Sequence, residues 1–412
     1  MKIKIFYNND PGERINHDFF SDKTWEPYPF SSFHHVLNTL GIEYEWSNDK
    51  KDSVKILDIG SFAVEENLDK LEEFIQTYLN EFGKIILYTA QEPILRKDKL
   101  YLLNKYDNLF IMDIKYSENP FHERYIPFPF LFVRLMNNFL DVTELTPHIQ
   151  LSNYDTKLHD FHNLKARWTP DKFATQYYLN DGPLGDNNLI TYQRPENFGV
   201  SSLNSVHATS LDDIKRLRTS VYNFFDFNET PVSRKYMNYV YDFLTNHPTV
   251  VLQPDKPYNI RYRYHPQYIY DETYYSLISE NFNLEVTTDE ISIEEIENNF
   301  YISEKTIYPI MQGHPFKVIG NPGNNYMLEQ LGFKLFDEIL NYDYDLIYYP
   351  VERIKQAAKS CETFDRGQYQ RHYKEIVDKI LYNQKHLMNI NSPLWENLKQ
   401  KMLKNLRVYY ES

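Results

Sequence analysis

Apolar runs of strand length alternate with helically spaced apolar residues over residues 1–165. KIKIFYN, VKILDIGS, KIILYTAQEP and NLFIMD are typical of buried strands. SSFHHVLNTLGI predicts a helix closed by Gly41, and VEENLDKLEEFIQTYLNEFG predicts a helix that ends at Gly83. Strands that alternate with helices predict a parallel sheet covered by helices on both faces.

The pattern weakens between Ser152 and Asn204, where turn-forming residues such as LNDGPLGDNN accumulate, and this predicts a linker or an irregular entry into a second unit. Beyond it, VYNFFDFN predicts a strand and PVSRKYMNYVYDFLTNH a helix. DETYYSLISENFNLEVTTDE predicts a helix or turn followed by a strand, and NNYMLEQLGF a helix that ends at Gly332. We therefore expect an α/β fold with two Rossmann-like domains, residues 1–165 and 166–360, and C-terminal helices over 361–412.

Composition narrows the class of protein. The chain has 44 basic and 58 acidic residues, a formal net charge of −14, which argues against a broad surface for nucleic acid or anionic membrane. The single cysteine, Cys361, allows no internal disulfide and fits a reducing compartment. The most apolar stretch, IPFPFLFVRLMNNFL, contains two prolines and Arg134 and falls short of a membrane span. The N-terminal apolar run is too short for a signal peptide, so we predict a soluble, cytoplasmic protein.

The stretch from Asn298 to Gly323, NNFYISEKTIYPIMQGHPFKVIGNPG, predicts a helix that is followed by a short strand and a glycine turn. Ser303 is a good N-cap, and Glu304 falls in the first turn. A helix start suits an anion, whereas Lys305 opposes the dipole unless an anion offsets its charge. Glu304 can accept hydrogen bonds from ribose hydroxyls, so a nucleoside diphosphate would satisfy both side chains. The simpler interpretation is a capped helix whose Lys305 is solvated.

Two patches resemble a known family. FYISEKTIYPIMQGHPFKVIGNPG resembles the donor-site segment of the α-1,3-fucosyltransferase family, in which a (V/I)(S/T)EK helix start precedes an apolar strand ending in Gly and Pro. It is still closer to fucosyltransferase-like glycosyltransferases of phages and bacteria, and LGFKLFDEILNYDYDLI also matches there. In the N-terminal half, GKIILYTAQEP, NLFIMD and HERYIPFPF are similar to the family's VVFYTGEN strand and the segments after it. The region before these patches and the stretch Asn137–Val221 show no such likeness.

The resemblance implies a GT-B arrangement, with an N-terminal acceptor domain and a C-terminal nucleotide-sugar-binding domain. It implies transfer with inversion, in which a carboxylate deprotonates the acceptor hydroxyl. A helix dipole, a lysine and an arginine would stabilise the departing nucleoside diphosphate, so no metal or other cofactor is required. Glu304 and Lys305 correspond to the ribose and diphosphate ligands.

The remaining site residues follow from position in the same comparison. Glu92 is the candidate base, although the family's glutamate could instead align with Gln91. Arg234 lies where the family keeps a diphosphate-binding arginine, and Arg261 and Arg263 compete for that role.

The turn that follows FKVIG supplies further candidates for donor binding. Asn321 and Gly323 lie in a turn where glycine lets the backbone approach a ligand, and Tyr301 could stack on the donor base. Asp343 and Asp345 have the spacing of a metal-binding D-x-D motif, but they follow a helix and are interpreted as a solvated turn.

The predicted function is an inverting, nucleotide-sugar-dependent glycosyltransferase in a bacterial or phage-infected cytosol. Its acceptor would be a glycan, or modified DNA if the source is a phage. The base and sugar of the donor stay open, as does the oligomeric state. One alternative is a non-catalytic nucleotide-binding or interaction protein of the same fold, and another is a metal-dependent transferase that uses Asp343 and Asp345.

Overall fold

The computed structural model describes residues 3–6, 37, 41–47, 53–58, 64–89, 96–113, 124–127, 159–164, 174–175, 178–179, 188–191, 270, 272–280, 292–293, 296, 300–389 and 391–411. The chain divides into two compact units. Unit 1 combines Met1–Leu140 with Asn389–Ser412, and unit 2 is Asp141–Met388. The domain boundaries placed at residues 165 and 360 stay a prediction.

Unit 1 is built on parallel strands. They are β1 (Ile3–Phe6), β2 (Tyr44–Ser47), β3 (Ile56–Asp58), β4 (Ile85–Thr89), β5 (Leu109–Asp113) and β6 (Tyr125–Pro127). β1 pairs with β2, and β3 to β6 pair in chain order. The N–H of Val54 donates to the carbonyl of Lys4 (2.7 Å), which places β1 beside the segment that leads into β3. Among the described strands, the direction in which successive strands are added therefore reverses between β1 and β3.

The core of unit 1 lies between its sheet and the helices α1 (Val64–Phe82) and α2 (Arg96–Lys105). Its buried members are Leu71, Ile75, Ile85, Leu87, Leu102, Leu103, Leu109 and Ile111. α1 confirms the predicted helix, and Gly83 beyond its end has the left-handed φ of 75° that stops a helix at glycine. The described part of unit 1 thus follows the predicted alternation of strands and helices.

A helix from the far end of the chain completes unit 1. In α8 (Pro393–Glu411), the hydroxyl of Tyr410 accepts the N–H of Lys4 (3.1 Å), and the hydroxyl of Tyr409 accepts the N–H of Lys55 (3.2 Å). The Tyr409 ring also packs edge-on against Phe110, with centroids 5.0 Å apart. Backbone groups near β1 and β3 are thus satisfied by tyrosines of the last described helix.

Unit 2 contains a second parallel sheet, formed by β7 (His159–Leu164), β8 (Asn188–Thr191), β9 (Thr273–Ser279) and β10 (Phe316–Ile319). The order is β10-β9-β7-β8, so among the described strands the direction of winding reverses between β7 and β9. Ligands of open α/β sheets bind outside the carboxyl ends of the strands at such a switch point.

Two predictions for this sheet are wrong. β7 and β8 lie in the segment predicted as a linker, because HDFHNL shows no apolar alternation although it pairs with strands on both sides. TYYSLIS, predicted as a helix or turn, is β9, and all seven of its residues are buried. The sequence of a parallel strand that is covered on both faces shows a continuous apolar run and not an alternation of apolar and polar residues.

The remaining helices of unit 2 are α3 (Glu304–Met311), α4 (Asn324–Gln330), α5 (Pro350–Cys361), α6 (Arg366–Arg371) and α7 (Tyr373–Met388). α3, β10 and α4 confirm the predicted order of helix, strand and helix, and α6 to α8 confirm a helical C-terminal region. The predicted strand VYNFFDFN, the strand predicted near the end of DETYYSLISENFNLEVTTDE and the helix PVSRKYMNYVYDFLTNH lie outside the described residues. No helix in the described ranges has the length and apolar character of a membrane span.

Candidate functional site

The start of α3 lies beside the carboxyl end of β9. Ser303 is its N-cap, with extended backbone angles (φ −116°, ψ −172°), and its Oγ accepts the N–H of Lys305 (3.3 Å). This confirms the predicted cap. Ser303 is 1% exposed, so the cap is part of the interior of unit 2.

A buried carboxylate occupies this helix start. Glu280 directly follows β9, is fully buried, and donates its N–H to the carbonyl of Ile319 in β10 (2.8 Å). Its Oε1 accepts the N–H of Ser303 (2.8 Å) and the hydroxyl of Thr306 (2.7 Å). Its Oε2 accepts the hydroxyl of Ser303 (2.6 Å). Sequence reasoning missed Glu280, because the strand that precedes it was predicted as a helix or turn and nothing else marked this carboxylate as buried.

Lys305 turns inward onto the same group. Its Nζ donates to Ser303 Oγ (2.8 Å) and lies 3.9 Å from Glu280 Oε2, and the residue is 7% exposed. The interpretation of Lys305 as a solvated side chain is therefore wrong. An anion does offset the charge of this lysine, and the chain supplies it as Glu280. A role for Lys305 as a diphosphate ligand stays a prediction.

The turn after β10 packs against the segment before the cap. Asn324 donates its Nδ2 to the carbonyl of Tyr301 (2.9 Å). A Cβ at Gly320 would lie 2.3 Å from that Nδ2, so only glycine fits there without a shift. Asn324 Oδ1 is buried and has no hydrogen-bond partner among the described residues. It is therefore an acceptor that water or a ligand donor could satisfy.

The predicted turn residues are held by the protein itself. Gly323 has a φ of 77°, and a Cβ there would lie 2.4 Å from Cγ2 of Ile296. Its N–H donates to the carbonyl of Asp345 (2.8 Å). Tyr301 and Asn321 are buried, at 8% and 0% exposed. Their contacts with a donor stay predictions.

The acidic pair Asp343 and Asp345 has two different environments. Asp343 is exposed and hydrogen-bonded to Asn341, as a solvated turn predicts. Asp345 is 5% exposed, its Oδ1 accepts the N–H of Asn325 (3.1 Å), and its Oδ2 accepts the N–H of Tyr326 (2.8 Å). The solvated-turn interpretation is wrong for Asp345, which holds the first turn of α4. Burial raises the pKa of Asp345, and the hydrogen bonds from Tyr326 and Asn325 oppose that shift.

A buried arginine also fixes the turn after β10. Arg353 of α5 donates its Nε to the carbonyl of Gly320 (2.9 Å) and a terminal nitrogen to the carbonyl of Tyr348 (2.9 Å). Burial lowers the pKa of Arg353 to about 9, and the charge of Asp345 opposes this shift. Arg353 was not predicted, because its partners are backbone carbonyls that leave no pattern in the sequence.

Several predicted site residues cannot be placed. Glu92, Gln91, Arg234, Arg261 and Arg263 lie outside the described residues. Glu304 begins α3, but its side chain is not among those described. The structure thus brings together Ser303 and Lys305, with the predicted turn residues and Tyr301 in the adjoining segments, and adds Glu280 and Arg353.

A solved crystal structure of an alpha1,3-fucosyltransferase is similar to this chain. The likeness covers 100% of this chain and 90% of the other, with a TM-score of 0.44 and 12% sequence identity. No family model matches the sequence, and no curated protein matches it.

Proposed function

We propose that the chain is a glycosyltransferase that moves a sugar from a nucleoside-diphosphate donor to an acceptor hydroxyl. The observation that carries the proposal is the corner at the carboxyl ends of β9 and β10. There the start of α3, a buried lysine and a glycine turn meet beside the switch point of a parallel sheet.

The chemistry of this corner suits a diphosphate. The first turn of α3 provides the positive end of a helix dipole, and Lys305 adds a full charge in a setting where water is scarce. An ammonium group has three N–H donors, so Lys305 can donate to Ser303 and to a phosphate oxygen at once. The same groups would stabilise the charge that grows on the departing nucleoside diphosphate.

The finer features of the proposal rest on the sequence resemblance. They are a GT-B arrangement, transfer with inversion, Glu92 as the base, and Arg234 and Glu304 as donor ligands. Transfer of this kind requires no metal, and the acceptor would be a glycan or modified DNA in a cytoplasmic setting. The unpartnered Oδ1 of Asn324 supports a polar ligand or a water at the adjoining turn.

A non-catalytic nucleotide-binding protein is the second candidate, because the Glu280 carboxylate already balances the charge of Lys305 without any ligand. The metal-dependent alternative finds less support. Both carboxylate oxygens of Asp345 accept N–H groups at the start of α4, so this side chain is already engaged in the fold.

The test is a thermal-shift panel of GDP, UDP, ADP, dTDP and CMP. The proteins are the wild type, Lys305→Met, and the control Lys385→Met, which changes an exposed lysine of α7. Ligand at about 100 times its Kd stabilises a protein by about 2.7 kcal/mol, which moves the midpoint by several degrees. We expect one nucleotide to shift the wild type and the control but not Lys305→Met. Equal shifts in all three proteins would place the donor elsewhere.

Catalysis is tested with the matching nucleotide sugar. The wild type should transfer or slowly hydrolyse the sugar with or without EDTA, and Glu92→Gln should bind the donor without turnover. Binding without any turnover by the wild type would favour the non-catalytic candidate, and loss of turnover in EDTA would favour the metal-dependent one.

A further inference from the structure

We propose that Glu280 is the positioning residue of the donor site: it holds Lys305 and the first turn of α3 in place for the diphosphate. This inference rests on the proposed function and deepens it. Glu280 has no place in the family resemblance described above, and its role comes from the contacts of the buried corner alone.

The link from Glu280 to Lys305 runs through one hydroxyl group. The Ser303 hydroxyl donates its single proton to Glu280 Oε2, at 2.6 Å. Its oxygen then accepts from the Lys305 backbone N–H (3.3 Å) and from Lys305 Nζ (2.8 Å). A hydroxyl has one donor and two acceptor positions, so all of its capacity is used. Loss of the carboxylate would release the proton that orients this hydroxyl and, with it, the anchor of Lys305.

The opposite charges of Glu280 and Lys305 are the second connection between the two residues. The side chains of Lys305 and Glu280 are 8% and 0% exposed, and their charged atoms are 3.9 Å apart. A buried ammonium is stable only with a nearby anion, since it has lost most of its hydration. Glu280 therefore supplies the anion that the positive charge of Lys305 needs at the helix start while no ligand is bound.

Glu280 acts through other residues because it is placed to bind the chain and not the ligand. It is fully buried, and its side chain contacts Ser303, Thr306 and Lys305. A carboxylate would repel a diphosphate at close range, so its contribution has to pass through Lys305 and the first turn.

The experiment is a double-mutant cycle on ligand affinity. It uses the wild type, Glu280→Gln, Lys305→Met and the double variant, with calorimetric Kd values for the nucleoside diphosphate that stabilises the wild type and for its monophosphate. Glutamine keeps one oxygen to accept from Ser303 and Thr306 but turns an NH₂ group toward Lys305. We expect Glu280→Gln to weaken diphosphate binding by about tenfold, with a much smaller effect on the monophosphate. In the Lys305→Met background, Glu280→Gln should weaken binding no further.

Other results would overturn the inference. Equal weakening with and without Lys305, or equal weakening of both nucleotides, would show a merely structural role, and the proposed function would stand. No binding of any nucleotide by the wild type would overturn the proposed function and the donor role of Glu280 with it. If Glu280→Gln does not fold, Ser303→Ala removes the hydroxyl link and keeps both charges. It should show the same selective loss of diphosphate affinity, and an unchanged affinity would contradict the inference.

Discussion

Two lysines twelve positions apart are both buried in unit 2, and their surroundings differ. Lys305 is 7% exposed and lies 3.9 Å from a carboxylate oxygen of Glu280. Lys317, in the middle of β10, is fully buried and donates to the hydroxyl of Ser360. Its Nζ lies 5.3 Å from the centre of the Tyr344 ring, and no ion pair joins it to a carboxylate in the part of the chain that the structure describes.

The difference shows two ways in which a fold can bury a lysine. Burial lowers the pKa of Lys317, and Cys361 beside it acts in the opposite direction, so the folded state tolerates the charged form less well than the unfolded chain does. Lys305 has an anion that makes its charge tolerable. A charge that is preserved in the interior can act on a ligand, whereas Lys317 is better explained as packing of an amphipathic side chain.

The largest effect is expected from removing the anion. Glu280→Ala leaves the charge of Lys305 and the donors of Ser303 and Thr306 without their partner, which should lower the free energy of unfolding by about 3–5 kcal/mol. Urea unfolding measures this loss. The matched control is Glu329→Ala, at an exposed position of α4, which should change stability by no more than about 0.5 kcal/mol. A similar loss of stability in the two variants would mean that Glu280 contributes no more to the fold than an exposed carboxylate does.

Lys317→Met should have the opposite effect: at pH 7 it should leave the free energy of unfolding unchanged or raise it. The pKa of Lys317 is lowered in the folded state, while that of an unfolded lysine is about 10.4. Between these two values the unfolded chain holds a proton that the folded chain lacks, so this group makes stability rise with pH across the window and fall as pH decreases through it. Urea unfolding of the wild type and Lys317→Met from pH 7 to pH 10.5 isolates the contribution as a difference. A difference that does not vary with pH would show that Lys317 stays charged when buried.

The smallest change in stability is expected from giving Lys317 an anion of its own. Ser360→Asp places a carboxylate where the Lys317 partner is a hydroxyl, so the two lysines become alike. The pKa of Lys317 should then return toward its ordinary value, and the pH dependence that Lys317 adds to the free energy of unfolding should disappear. A negative charge near the C-terminus of α5 is unfavourable by about 0.3–1 kcal/mol, so stability at pH 7 should change little. A steeper pH dependence in Ser360→Asp than in the wild type would contradict this account.

Local signals allowed some elements to be predicted. The helical spacing and terminal glycine of α1, and the Ser303 cap of α3, depend on residues close together in the chain. β9 and β7 were missed because burial on both faces, or pairing on both sides, removes the alternation that marks an amphipathic strand. Whether these two segments form strands depends on their pairing with neighbouring strands that are distant in the sequence.

The candidate site shows the same limit. Ser303 and Lys305 could be identified from a short motif, and the need for an anion beside Lys305 followed from the helix dipole. The sequence did not show that Glu280, 23 positions before Ser303, would supply that anion. Likewise, the sequence predicts a surface position for Asp345, because the helix start that it holds precedes it in the chain by 20 positions.

The two tyrosines of α8 have a consequence for synthesis on the ribosome. Their hydroxyls satisfy backbone groups of Lys4 and Lys55, so unit 1 begins with the first residues and is finished only by residues made after all of unit 2. Domains generally fold as they emerge, the N-terminal one first. Here the segment Asp141–Met388 is synthesised before the helix that supplies these two hydroxyls, so the backbone groups of Lys4 and Lys55 lack these partners until α8 has emerged.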